Sequence, residues 1–142
     1  VLLANLEATR RLAHKLAQAL PSGSLLLLTG PMGVGKTTLV KFIAEALGFT
    51  GEVTSPTYTL IHEYPSPQGL ILHIDAYRLA NQEELFGLGL EDYLSEARLV
   101  LIEWGNPELF PNSLEVRLAP QGEARTVELI AHGNALLPFT GE

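Results

Sequence analysis

The 142-residue chain contains no cysteine, which excludes disulfide bonds and every metal site built on thiolates. A reducing compartment such as the cytoplasm is the expected home. No apolar run approaches the roughly 18 residues that a membrane-spanning helix needs, and the first residues lack the basic segment and apolar core of a secretion signal. The expectation is a soluble, cytoplasmic protein with no membrane partner. Basic residues are scarce, 9 Lys and Arg against 16 Asp and Glu, leaving a net charge of −7. That sign works against a nucleic-acid binder acting alone, because phosphate contacts must be neutralised by cations. The histidines His14, His62, His73 and His132 show no metal-ligand spacing and read as surface or packing residues. There is no G-x-S-x-G elbow for a serine hydrolase and no Asn-Lys-x-Asp run for reading guanine. Repeats, low-complexity tracts and linkers are lacking as well. Residues 1–142 are therefore expected to form one domain, with 46% hydrophobic residues to build its core.

What is present is a glycine-rich stretch, GPMGVGKTT, at residues 30–38. Gly30, Gly35, Lys36 and Thr37 fit G-x-x-x-x-G-K-[ST], and Gly33 adds a further position where backbone N–H groups can crowd around phosphate oxygens. The flanks agree with a phosphate loop. LLLL within Ser24 to Thr29 reads as a strand buried on both faces, and Leu39, Val40, Ile43, Ala46 and Leu47 mark a helix over 36–47 with Gly48 as its C-terminal cap. Before them, Leu6, Ala13, Leu16, Ala17 and Leu20 form the apolar stripe of an amphipathic helix between Asn5 and Leu20. After them, TYTLIHEY (57–64) and LILHIDAY (70–77) read as paired strands separated by PSPQG, and Gln82 to Leu94 as a short helical stretch. ARLVLIEW (97–104) is another buried strand, followed by LEVRLAP and TVELIAH around the turn QGEAR. Helices alternate with strands early and strands follow strands late. The expected fold is α/β, a three-layer P-loop NTPase fold whose mixed, mostly parallel sheet carries antiparallel edge strands.

In this context the backbone N–H groups of Gly33, Val34 and Gly35 and the helix N-terminus cradle phosphates, Lys36 reaches the β and γ oxygens, and the Thr37 hydroxyl takes Mg²⁺. Thr38 touches the α-phosphate or packs. Such an enzyme also needs an acid at the end of a neighbouring strand, for the metal or for the attacking water. Two positions compete: Asp75, which ends LILHID, and Glu103, which ends LVLIE. Ser55, Pro56 and Thr57 form a short polar stretch where switch segments lie, but on chemistry alone the reading to prefer is an ordinary Ser-Pro turn opening a strand. Trp104 sits beside the rim and needs no function as a core aromatic. Arg78 and Arg125 are candidates for a built-in arginine finger, with a surface ion pair as the default for each. Without a guanine-reading run, ATP is the expected nucleotide.

Taken together, GPMGVGKTT, VTSPTYTLIHEY, HIDAYRL followed by EEL, GLEDYL and LIEW resemble the TsaE (YjeE) family of bacterial ATPases, needed to make threonylcarbamoyladenosine beside the anticodon of tRNAs. The resemblance runs from the first helix to QGEAR. It implies Mg²⁺ and ATP binding, slow hydrolysis, and work on a TsaB–TsaD protein pair, with tRNA reached through those partners. Residue by residue it matches Lys36 and Thr37 to the phosphate lysine and magnesium threonine, Glu103 to the magnesium-site acid and Asp75 to an essential aspartate. Ser55 to Thr57 match a switch-like loop, and Trp104 the tryptophan of LIEW. The resemblance also implies adenine between Leu3 and Gln121. The chain departs from the family at Pro31-Met32, often Asp-Leu, and at Ala76, often Leu, neither of which removes a charged role. The alternative is a small-molecule kinase using the same loop, disfavoured because the six arginines are scattered rather than gathered in a lid. A third reading is a nucleotide-binding regulator that never hydrolyses.

Overall fold

The computed structural model describes residues 2–31, 34–51, 53, 61–76, 83, 90–133, 135 and 137. Among them the elements run β1 (Leu2–Leu3), α1 (Leu6–Ala19), β2 (Ser24–Thr29), α2 (Lys36–Ala46), β3 (Ile61–Ser66), β4 (Gly69–Asp75), α3 (Leu90–Glu96), β5 (Leu99–Glu103), β6 (Leu114–Gln121) and β7 (Ala124–Ala131). They build one seven-stranded sheet in the order β1-β7-β6-β2-β5-β4-β3. The four central strands β6, β2, β5 and β4 are parallel. Antiparallel pairs close both sides, β3 on β4 and the ribbon β6-β7-β1. This is the mixed α/β sheet with antiparallel edges that the sequence predicts.

Strand alternation sorts the core into two layers. Leu26 and Leu28 of β2, Leu99 and Leu101 of β5 and Ile71 of β4 pack with α1 and α2. Leu27, Val100, Ile102, Leu72 and Ile74 face the other way, onto Leu90, Ala97 and Phe110. Leu26, Leu27 and Leu28 are all wholly buried, which is why LLLL shows no polar alternation. Each such leucine contributes about 1.5 to 3 kcal/mol by leaving water.

Helix α1 begins at Asn5, whose side-chain oxygen accepts the Ala8 N–H at 2.9 Å and so satisfies one of the free donors of the first turn. Its stripe is Leu12, Ala13, Leu16 and Ala17. Leu6, expected in that stripe, is 57% exposed: it shares the angular position of Ala13, but angle alone does not bury a residue of the terminal turn. The chain also departs from expectation at β3, which runs through Pro65 and Ser66 to a turn at Pro67-Gln68. β3 is an edge strand paired only with β4, so the donor that Pro65 lacks is not missed. β1, two residues long, falls below any periodicity the sequence can display. The expected helix at 82–94 is described from Leu90 onward, and residues 57–60 of the expected TYTLIHEY strand lie outside the described residues.

Candidate functional site

The site lies where β2, β4 and β5 end and α2 begins. Backbone geometry comes first. Gly30 leaves β2 at φ 130°, and a Cβ there would sit 2.2 Å from the Leu118 carbonyl oxygen of the neighbouring strand. Only glycine lets the chain turn so close to β6. Gly35 caps α2 at φ 102°, and a Cβ on it would meet the Arg125 guanidinium at 2.9 Å.

Lys36 opens α2 and is 5% exposed. Its ammonium donates to the carbonyl oxygens of Gly30 at 2.8 Å and Pro31 at 3.0 Å. The Trp104 ring covers it, 4.0 Å from Nζ to the centroid. Burial lowers the lysine below its ordinary value of 10.5, while the charges of Glu103 and Asp75 act in the opposite direction. Trp104 is thus no core aromatic. It holds a left-handed backbone, φ 65°, unusual for a bulky residue, and this turn out of β5 carries the indole over the lysine. The Trp104 N–H donates to the Leu28 oxygen at 2.8 Å and the Ala76 N–H to the Glu103 oxygen at 3.0 Å, tying the three strand ends together.

The acids follow from register. Asp75 stands opposite Glu103 across β4 and β5, and both follow the alternation of Ile71, Leu99 and Leu101, toward the α2 side of the sheet. Glu103 is 6% exposed, and its oxygens accept the Thr37 hydroxyl at 3.1 and 3.3 Å. One carboxylate and one hydroxyl are hard oxygen donors, the chemistry that suits Mg²⁺, an ion that keeps much of its shell as water and phosphate oxygen. Among the described residues no group of three or more His, Asp or Glu makes a metal cage of its own. The donors present therefore fit an ion shared with a phosphate.

Glu103 has a second partner that the sequence reading missed. His73 Nε2 bonds Glu103 Oε2, its Nδ1 meets the Tyr64 hydroxyl at 3.0 Å, and that hydroxyl meets His62 Nδ1 at 3.3 Å. His73 is wholly buried. Burial, with His73 adding to it, holds His62 below its ordinary 6.5. Metal-ligand spacing was the wrong test for these histidines; the usable signal was parity, since His73 lies two residues before Asp75 and so shares its face.

Lys36, Thr37, Asp75, Glu103 and Trp104 thus converge. Val34 is buried in the core and its N–H donates to the Pro31 oxygen at 3.3 Å, inside the loop. Thr38 is half-buried in the first turn of α2. Leu3 and Gln121 flank the start of β7, opposite Arg125 and Ala124 respectively; the Leu3 side chain is in the core and Gln121 is exposed. Gly33, Ser55, Pro56, Thr57 and Arg78 lie outside the described residues.

Comparison with known proteins bears on the family and the fold. The model of the family described as threonylcarbamoyl adenosine biosynthesis protein TsaE matches residues 3–127. A tRNA threonylcarbamoyladenosine biosynthesis protein TsaE of Haemophilus influenzae is 41% identical over 113 residues, 78% of this chain and 72% of the relative. The protein of that name from Bacillus subtilis is 35% identical over 134 residues, 92% of this chain and 84% of the relative. A crystal structure of Bacillus subtilis YdiB superposes with a TM-score of 0.77 at 31% identity, covering 94% of this chain and 85% of that one.

Proposed function

We propose a function from this premise: the chain belongs to the TsaE family of threonylcarbamoyl adenosine biosynthesis proteins, and within that synthesis it works as a Mg²⁺-dependent ATPase. The observation that carries the reading is the convergence of Lys36, Thr37, Glu103 and Asp75 on one strand-loop-helix junction. On this reading Lys36 exchanges its two loop carbonyls for phosphate oxygens, and the indole of Trp104 keeps water from the ammonium. Thr37 and Glu103 hold Mg²⁺, which when bound neutralises charge on the phosphates. Asp75 orients the water that attacks the γ-phosphorus, so that the bond to the β-phosphate oxygen breaks and ADP and inorganic phosphate leave. Leu3 and Gln121 border the adenine, Gly33 to Thr38 the phosphates, and Ser55 to Thr57 respond to the γ-phosphate.

The domain is small, and an ATPase of this size makes physical sense as a switch that acts on other proteins, here a TsaB–TsaD pair in the cytoplasm. No helix among the described residues is long and apolar enough to cross a membrane. The test is phosphate release from ATP with and without Mg²⁺ and the partner pair. Asp75→Asn is expected to bind nucleotide and lose hydrolysis, whereas Glu103→Gln is expected to need more Mg²⁺ for nucleotide binding. Parent-like hydrolysis by both variants would overturn these roles, and phosphate transfer to a small alcohol in place of release would indicate a kinase.

A further inference from the structure

The face toward α2 holds more than the catalytic candidates need. His73 is opposite Leu101, one step before the Asp75–Glu103 pair, which makes it a diagonal neighbour of Glu103 on the same face. It is wholly buried, and Tyr64, reaching in from the edge strand β3, is 4% exposed. A histidine in such a place has to satisfy both ring nitrogens, and each has a side-chain partner, Tyr64 at Nδ1 and Glu103 at Nε2.

The direction of these bonds follows from what each group can give. A carboxylate only accepts, so His73 Nε2 carries the proton toward Glu103. In the neutral ring Nδ1 is then an acceptor and takes the Tyr64 hydroxyl proton, which leaves the Tyr64 oxygen to accept from His62 Nδ1. Every member has a partner and the chain runs one way. Were the ring to carry both protons, the bond to Glu103 would remain.

The arrangement also solves an electrostatic problem. Lys36 and Glu103 are both nearly buried and attract each other, so an unrestrained glutamate would close onto the ammonium and remove both from the nucleotide. Among the described residues no ion pair joins them. Glu103 is instead held by His73 on one oxygen and by the Thr37 hydroxyl across both, while Lys36 turns to the Gly30 and Pro31 carbonyls.

We propose that His73 is a positioning residue, oriented by Tyr64, which holds the Glu103 carboxylate beside Thr37 and away from Lys36. The proposal rests on the reading that Glu103 and Thr37 bind Mg²⁺. Supporting partners of a metal ligand typically change metal affinity by about 10- to 100-fold. The experiment measures ADP binding by calorimetry across a Mg²⁺ series and in EDTA, with melting temperatures, for the parent, His73→Leu, His73→Gln and Tyr64→Phe. Glutamine can present its amide nitrogen where Nε2 stood; leucine fills the space without a donor. His73→Leu is expected to raise the Mg²⁺ concentration for half-maximal tightening about tenfold and to weaken binding in EDTA by less, since the freed carboxylate then competes with phosphate for Lys36. His73→Gln restores the Mg²⁺ response, and Tyr64→Phe shifts it about threefold in the same direction as leucine. An unchanged Mg²⁺ response in folded His73→Leu overturns the proposal, as does equal loss in the leucine and glutamine variants. If His73→Leu does not fold, an unchanged response in Tyr64→Phe overturns it. A parent whose ADP binding ignores Mg²⁺ removes the metal reading itself and this role with it.

Discussion

Lys36 is a cation kept from water, bonded to two backbone carbonyls and roofed by the chain's single tryptophan. A charge so placed is ready to exchange carbonyl dipoles for phosphate charge, a stronger partner in the same low-dielectric setting. Lys36→Ala is expected to weaken ATP binding about tenfold or more, corresponding to a charge-assisted contact of roughly 1.5 to 3 kcal/mol. Calorimetry checks this, and parent-like affinity in the folded variant would contradict it. Trp104 provides a second readout, because its emission responds to an ammonium against its ring: adding ATP to the parent is expected to change the emission, and adding it to Lys36→Ala to leave it nearly constant. A tryptophan signal blind to ATP in the parent would show that Lys36 stays where it is. The two described loop glycines, Gly30 and Gly35, differ in what surrounds them. At Gly30 the obstacle is a backbone oxygen fixed in β6, at Gly35 the far end of the Arg125 side chain. Gly30→Ala is therefore expected to cost more stability than Gly35→Ala, on the order of 2 kcal/mol or more, in chemical denaturation. The reverse order would mean that the loop, not the strand, sets the constraint.

At the scale of elements, the parts legible in the sequence are those whose burial is dictated locally. LLLL, LVLIE and the helix after GKTT declare themselves by apolar runs and a 3.6-residue period, and the motif between them places the loop. Asp75 and Glu103 were legible as competing strand-end acids, but only register shows that they stand opposite one another. Other features depend on contacts between distant segments. The left-handed turn at Trp104 and the strand pair that gives β1 its existence have no local period to betray them, and parity puts His73 on the face of Asp75 without naming Glu103 as its partner. The same holds for a second buried carboxylate, Glu115 of β6, on the opposite face of the sheet from the α2 cluster. It accepts the Thr29 hydroxyl at 2.8 Å, His132 Nε2 at 2.9 Å and Arg117 Nε at 3.2 Å, linking β2, β6 and the end of β7. Burial alone would raise this carboxyl; the bonds to His132 and Thr29 and the Arg117 charge outweigh it and leave Glu115 below its ordinary 4.5. The folded chain thus binds fewer protons than the unfolded one in this range. The stabilisation is complete above pH 4.5 and is lost as the pH falls through the lower folded value. Glu115→Gln is expected to cost about 1 to 3 kcal/mol at pH 7 and to flatten the fall of melting temperature below pH 4.5. Parallel melting curves for parent and variant from pH 7 to pH 3 would argue against this linkage.

For the whole molecule the informative quantity is charge. A member of a tRNA-modifying family would be expected to show a basic face, yet this chain carries −7. Three lysines and six arginines are too few to neutralise a phosphate backbone against 16 acids, and Lys36 is buried at the nucleotide loop. The RNA is therefore expected to be held elsewhere, by partners that present basic surface, while this chain contributes nucleotide-dependent work. On the proposed reading, the acidic stretch from Glu83 to Asp92 and the segment Ser55 to Thr57 would meet such a partner, the first by charge and the second by its place in the sequence after the phosphate helix. Two outcomes follow. A gel shift with tRNA at physiological salt is expected to show little or no complex with the chain alone. Pull-down of the TsaB–TsaD pair is expected to differ between ATP and ADP and to weaken as salt rises, because opposite charges meeting across water are screened within about 8 Å at 0.15 M. Tight, salt-sensitive tRNA binding by the isolated chain would return RNA contact to this protein. Partner capture indifferent to nucleotide would separate the ATPase site from the interface, since a ligand shifts an assembly only as far as its affinity for the free and bound states differs.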